Sequence, residues 1–141
     1  MIYTKIYTPV YSKQLASLLT SINMPDIVTY DEEYLFTMLL LNEGQTIGFF
    51  TLDFRFIVPK LQHFYINPKD RKMSIIFLLV NSLKTTLFNL EYSKFMISIQ
   101  KKDFRLCLLI KKYFNIIYCK DLLWFSSKSN KRIFSWFLIG V

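Results

Sequence analysis

Short runs of hydrophobic residues, some of them alternating with polar residues, predict seven strands in this chain. The first run, from Ile2 to Tyr7, alternates regularly and ends before Pro9. Two later runs are separated by only Asn42, Glu43 and Gly44, a connection short enough for a hairpin, with a glycine available for a positive φ. The seven runs cover residues 2–7, 34–41, 45–54, 60–66, 94–99, 116–125 and 132–139, and the last two form a second hairpin through a polar turn at 126–131.

Helical spacing of hydrophobic residues marks three further segments. Residues 12–22 repeat leucine and isoleucine at i, i+3, i+4 and i+7, and Ser12 is the predicted N-cap. A longer helix follows the charged residues 69–72. The third follows its predicted N-cap, Asp103, and ends at Asn115, which suits a left-handed C-cap. The order β-α-ββ-β-α-β-α-ββ therefore predicts an α/β (α+β) fold in a single domain, residues 1–141.

Composition agrees with one aromatic-rich core. Of the 141 residues, 52% are hydrophobic and 18% aromatic. No run approaches the roughly 20 apolar residues of a membrane-spanning helix, and residues 1–5 do not resemble a secretory signal. We therefore expect an intracellular protein without a membrane span. Cys107 and Cys119 are too few for a disulfide framework and lack further ligands at metal-binding spacing, so we predict buried thiols and no metal site.

Charge is distributed unevenly along the chain, which carries a formal net charge of +8. Residues 1–58 hold three basic and six acidic residues, whereas residues 59–141 hold fifteen basic and four acidic residues. The second half should project a positive field, so coenzyme phosphates, an acidic protein or nucleic acid bound without base specificity are candidate partners. Plain solubility is the alternative. The candidate partner-binding residues are Lys101, Lys102, Arg105, Lys111 and Lys112.

One segment and the element order resemble the GCN5-related N-acetyltransferase (GNAT) fold. In that family the fourth strand ends in a step like Val-x-Pro, and the motif Arg/Gln-x-x-Gly-x-Gly/Ala opens the long helix. Residues 61–76, LQHFYINPKDRKMSII, are similar: the strand ends at Asn67-Pro68, and Arg71 precedes Ser74 by three positions and Ile76 by five. The resemblance implies a mixed central sheet that splays between its fourth and fifth strands and is flanked by helices.

In the GNAT family this loop and helix start hold the pyrophosphate of coenzyme A. The resemblance therefore implies cofactor-binding roles for Arg71, Lys72, Ser74 and Ile76. Serine and isoleucine stand where the motif has glycine and glycine or alanine. Ser74 can cap the helix and occupy a donor that a phosphate needs, and Ile76 either crowds the cofactor or faces the core. We therefore expect acetyl-CoA to bind weakly or not at all.

Acid–base chemistry has few candidates. His63 is the only histidine and a candidate general base, because its unperturbed pKa of about 6.5 suits proton transfer. Strand alternation places it on one face with Leu61 and Tyr65, where a structural role is the alternative. Many GNAT members use a tyrosine on the last helix as an acid. Lys111 occupies the matching position here, and Tyr113 lies roughly 200° further around the helix.

Two function classes remain from the sequence. The altered motif favours a GNAT-like domain that has lost catalysis and serves as a structural or interaction protein. The alternative is an acyl-CoA-dependent N-acetyltransferase that acts on an amine, for which the acidic residues 31–33 are either a binding site or a solvated loop. Small GNAT-like domains of this length resemble some virion or internal head proteins of short-tailed phages, which would place the chain in a host cell or a virion.

Overall fold

The structure is a computed structural model and describes residues 1–23, 33–100, 104–125 and 131–141. The predicted order of strands and helices is confirmed. Short 3-10 turns at Pro9–Tyr11 and Pro68–Asp70 precede the first two helices. The strands are β1 (Ile2–Ile6), β2 (Leu35–Asn42), β3 (Gln45–Asp53), β4 (Lys60–Ile66), β5 (Lys94–Gln100), β6 (Asn115–Phe125) and β7 (Lys131–Gly140), and the helices are α1 (Ser12–Ser21), α2 (Met73–Asn89) and α3 (Phe104–Tyr113).

The strands form one seven-stranded sheet in the order β1-β2-β3-β4-β5-β7-β6. All neighbouring strands are antiparallel except β4 and β5, which are parallel. The parallel pairing covers only Lys60 with Met96 and Leu61 with Ile97, so the two strands separate after Leu61. This mixed sheet, splayed between β4 and β5, is the architecture that the resemblance to the GNAT fold implies.

Two glycines have distinct roles in the β2–β3–β4 meander. In the predicted hairpin turn, Glu43 and Gly44 both have positive φ, 49° and 78°, as a two-residue turn of type I′ requires. Gly48 lies against β4, and a Cβ added there would be 2.6 Å from the carbonyl oxygen of Tyr65. Glycine at position 48 therefore allows the two backbones to approach.

Strand alternation divides the core into two layers. In β2, Met38 and Leu40 face a large cluster beneath α2 and α3, whereas Leu39 and Leu41 face a smaller cluster beneath α1. The larger cluster includes residues on both sides of the β4–β5 separation, so one hydrophobic core continues across it. Burial of these side chains is the main stabilising contribution to the fold.

Five local predictions meet a different structure or lie outside the described residues. Ser12 is the first residue of α1, and Tyr11 precedes it without a side-chain cap, because a 3-10 turn leads directly into the helix. Asn115 begins β6 and is not left-handed. The thiol of Cys119 is free and exposed rather than buried, since it lies on the edge strand β6. The predicted cap Asp103 and the turn residues 126–130 fall outside the described residues.

Candidate functional site

The opening between β4 and β5 is the first part of the site. After Leu61, the residues of β4 pair with β3 on one side, through Gly48, Phe49, Phe50 and Thr51. No pairing with β5 continues along this stretch. The edge of β4 that faces β5 therefore offers backbone groups in the middle of the sheet, where an extended ligand can bind.

The start of α2 lies directly after this opening. Lys72 is the N-cap, with extended backbone angles of −90° and 152°, and no side chain caps the helix. The amides of Ile75 and Ile76 donate to the Lys72 carbonyl at 3.0 and 2.9 Å. Within the described part of the chain, the amides of Met73 and Ser74 have no hydrogen-bond acceptor. The helix start therefore presents two free donors and the positive end of the helix dipole.

Ser74 does not cap α2, contrary to the sequence-based expectation. A capping residue must precede the first helical turn with extended backbone angles, but Ser74 is the second residue of the helix and is exposed. Ile76 is half-buried and packs against the larger core cluster. This contact agrees with the core-facing interpretation of Ile76 rather than with crowding of the loop.

Arg71 is held at the end of β4. Its Nε donates to the Ile66 carbonyl at 2.8 Å, and its guanidinium lies 5.6 Å from the centre of the Tyr65 ring. Beside it, one carboxylate oxygen of Asp70 is buried and has no partner in the described ranges. Lys69, Arg71 and Lys72 outnumber this single carboxylate, so the loop remains net basic.

The end of α3 adds charge at the start of α2. Lys112 Nζ lies 4.0 Å from the Met73 sulfur and 5.4 Å from the centre of the Tyr113 ring. Tyr113 in turn contacts Phe77 of α2, with ring centres 6.2 Å apart. Lys111 is exposed, so Tyr113 is the residue of this pair that faces α2.

Of the five basic residues predicted to bind a partner, three have described side chains. Arg105, Lys111 and Lys112 are exposed along α3, and Lys112 lies at the α2 start. Lys101 and Lys102 fall outside the described residues. Among residues 1–23, 33–100, 104–125 and 131–141, no group of three His, Cys, Asp or Glu side chains could hold a metal ion. No helix in these ranges is long and apolar enough to cross a membrane.

His63 lies on β4 beside the opening, on the α1 face of the sheet. Its ring centre is 6.3 Å from that of Phe49, a member of the smaller cluster. Leu61 belongs to the larger cluster on the opposite face, so the predicted shared face of His63 and Leu61 is wrong. The cause is a β-bulge: Thr51 pairs with His63 and Leu52 with Leu61, which leaves Gln62 as the extra residue.

The surroundings of His63 favour its neutral form. Burial lowers the pKa of His63, and the nearby positive charge of Lys60 lowers it further. Desolvation also lowers the pKa of Lys60 itself. At neutral pH the imidazole therefore has a nitrogen free to accept a proton.

A buried carboxylate beside the bulge is absent from the sequence-based site. Asp53 is fully buried and accepts from the Arg55 backbone amide at 2.9 Å, from Arg55 Nη2 at 2.7 Å and from Gln62 Nε2 at 3.0 Å. These bonds, with that from Arg55 foremost, hold the pKa of Asp53 at about 2. Arg55 also stacks on Tyr34, 4.2 Å from its ring centre. A carboxylate that closes a strand two residues before an arginine is the only sequence signal for this network.

Comparison with solved structures identifies the fold. No protein-family model and no curated protein sequence matches this chain. A probable acetyltransferase from Staphylococcus epidermidis ATCC 12228 is similar with a TM-score of 0.76 and 9% identity, over 100% of this chain and 99% of that one. An N-acetyltransferase from Staphylococcus aureus Mu50 gives a TM-score of 0.76 and 14% identity, over 99% and 97%.

A third similar structure holds a ligand. It is a GNAT family acetyltransferase from Elizabethkingia anophelis with acetyl-CoA bound, with a TM-score of 0.67 and 14% identity, over 99% of this chain and 98% of that one. Together with the order and splay of the strands, these similarities show that the chain has the GNAT fold.

Proposed function

We propose that this chain, which has the GNAT fold, binds an acyl-coenzyme A at the start of α2 and transfers the acyl group to an amine. The observation that carries the proposal is the uncapped start of α2, where the amides of Met73 and Ser74 are available beside the opening between β4 and β5. A helix start of this kind is a ready site for a phosphate group. The residues present therefore fit the pyrophosphate of the cofactor.

Charged side chains support the same site. Arg71 uses only Nε in its bond to Ile66, so its two Nη groups remain available to a phosphate oxygen within the described structure. Lys72 directly precedes Met73 in the chain, and Lys112 Nζ lies 4.0 Å from the Met73 sulfur. Charge-assisted hydrogen bonds from such groups to phosphate are roughly twice as strong as neutral ones.

The coenzyme would supply the activated acyl thioester, and the chain would supply acid–base chemistry. His63, neutral beside the opening, would accept the proton that the attacking amine releases. For the proton that the departing thiolate needs, Tyr113 lies toward α2, whereas Lys111 is exposed. The simpler assignment is that no side chain of this protein donates that proton.

The alternative is a domain without catalysis that binds an anionic partner, such as an acidic protein or a nucleic acid, or that serves in a virion. Two reasons for this alternative came from Ser74 and Ile76, and the geometry weakens both. Lys111 in place of a tyrosine still favours it. The exposed Arg105, Lys111 and Lys112 would then form the partner-binding surface.

Calorimetry with acetyl-CoA separates the two functions. We expect micromolar binding that weakens in Arg71→Ala, followed by acetyl transfer to a panel of polyamines, lysine peptides and free N-terminal peptides. Mass spectrometry is the suitable readout, because the exposed Cys119 thiol would interfere with thiol-release assays. A dissociation constant above about 1 mM, equivalent to roughly −4 kcal/mol or weaker, would instead support the non-catalytic domain.

A further inference from the structure

The outer edge of β1 has backbone groups available for another strand. In the antiparallel ladder with β2, Tyr7 donates to the Thr37 carbonyl and Glu43 donates to the Met1 carbonyl. Because hydrogen-bonded pairs alternate along such a ladder, the odd-numbered residues of β1 bond to β2. The amides and carbonyls of Ile2, Thr4 and Ile6 therefore point away from the sheet, and β1 is an edge strand.

The side chains of β1 are self-complementary about Thr4. If a second copy of β1 lies antiparallel with Thr4 opposite Thr4, then Ile2 faces Ile6 and Tyr3 faces Lys5 across the two-fold axis. On one face the pairs join like apolar side chains, and on the other face each lysine stands opposite a tyrosine rather than another lysine. No two like charges meet, which is the requirement for a symmetric strand pair.

A groove beside β1 extends the same surface. A cavity of about 450 Å³ lies between β1, β2 and the outer side of α2, with Thr4, Ile6, Phe36, Leu78, Thr85 and Leu90 in its lining. None of its lining residues is ionisable, although the chain carries a net charge of +8. Ile6 is 54% exposed and Leu90 47% exposed at this groove. The groove therefore leaves apolar surface uncovered without placing a charge of its own there.

Lysine on an edge strand often prevents pairing with another chain. Lys5 is placed differently here, because its ammonium lies 5.5 Å from the centre of the Tyr11 ring. Tyr11 packs on the α1 side of the sheet. The lysine charge is therefore held on one face and does not project across the free edge.

From these observations we propose that two copies of this chain associate through antiparallel pairing of their β1 strands, centred on Thr4. The continuous sheet would contain both β1 edges, and the Ile2 and Ile6 side chains of the two copies would cover the groove. Because β1 has only five residues, the interface is small and the dimer is a weak one that dissociates on dilution. The proposal does not depend on acyl-coenzyme A binding.

The first test is sedimentation velocity over a wide concentration range. Thr4→Pro removes an amide that β2 does not use, and proline is tolerated on an edge strand in this position. We expect this variant to weaken dimerisation about tenfold or more, because the symmetric pair loses two hydrogen bonds. Thr4→Ala keeps the amide and should dimerise like the parent chain.

The second test fixes the register by disulfide formation in a background in which both native cysteines are replaced, Cys107→Ser with Cys119→Ser. Opposed residues of a hydrogen-bonded pair have Cα atoms about 5.5 Å apart, within disulfide range. Thr4→Cys should therefore cross-link under mild oxidation, whereas Ile2→Cys, which faces Ile6 of the other copy, should not. A parent chain that stays monomeric, a Thr4→Pro variant that dimerises normally, or faster cross-linking through Ile2→Cys would each overturn the proposal.

Discussion

Replacement of Met73 by proline tests the anion site at the start of α2 without altering a side chain that holds charge. Met73 is the first helical residue, and its amide has no acceptor in the described structure. Proline is favoured at the first helical position, where the missing N–H is not needed by the helix. Lys72, at φ −90° and ψ 152°, already has the extended conformation that a following proline requires.

The expected magnitude follows from the loss of one donor to a charged group. A hydrogen bond to a charged group contributes about 1.5–3 kcal/mol, which corresponds to a dissociation constant for acetyl-CoA about ten- to a hundredfold weaker. The free energy of unfolding should change by no more than about 0.5 kcal/mol, because neither a buried contact nor a helical hydrogen bond is lost.

The assay is calorimetric titration with acetyl-CoA, paired with urea unfolding of the same samples. Met73→Ala is the matched control, since it removes the same side chain and its contact with Lys112 but keeps the amide. Equal affinity of Met73→Pro and Met73→Ala, with both variants folded, would refute the assignment of the phosphate site to this helix start.

Three further outcomes are expected. His63 is the only histidine, so NMR resolves its imidazole without ambiguity. The pKa of His63 should lie below the ordinary value of 6.5, and Lys60→Met should raise it. A pKa at or above 6.5 would contradict the burial of this side chain. Because a lowered pKa means that the unfolded state binds more protons than the folded state, the contribution of His63 to stability falls as the pH drops below 6.5. Asp53→Asn should cost about 2 kcal/mol at pH 7 and remove the Asp53 contribution to the loss of stability below about pH 4, because the unfolded state takes up this proton near pH 4 and the folded state, where the pKa of Asp53 is about 2, takes it up only near pH 2; urea unfolding across this range decides it. Gly48→Ala should destabilise the fold by about 1–3 kcal/mol, because its Cβ would meet the Tyr65 carbonyl oxygen; an unchanged melting temperature would show that β3 and β4 move apart freely.

Hydrophobic patterning predicted the order of elements because the segments that bury side chains are apolar runs of strand length or apolar residues at helical spacing. Strand β2 is the clearest case of an apolar run, since both of its faces are buried, with Leu39 and Leu41 toward α1 and Met38 and Leu40 toward α2. The hairpin turn was also predictable, since Gly44 supplies the conformation that the turn requires. These features depend on residues close together in the chain.

The site was harder to predict because its features depend on how the strands pair and on the residue at which α2 begins. The bulge at Gln62 reverses the face of His63 relative to Leu61, and no change in polarity marks it. Ser74 resembles a cap in sequence, but the helix begins one residue earlier. Asp53 meets Gln62 only through the pairing of β3 with β4. The assignments of Arg71, Lys72, Ser74 and Ile76 to cofactor binding remain predictions.

The short contact between β4 and β5 also bears on how the molecule opens. Strands β1–β4 form one antiparallel meander, and strands β5–β7 form a second antiparallel group. Backbone pairing between β4 and β5 joins the two groups at only two residue pairs. Cooperativity between the two groups must therefore pass through side chains, chiefly those of α2 such as Leu79 and Leu83, which pack in the core shared by both. The two groups are natural units of sub-global unfolding. In native-state hydrogen exchange, amides of the β1–β4 meander and of the β5–β7 group would then report two separate opening free energies rather than one.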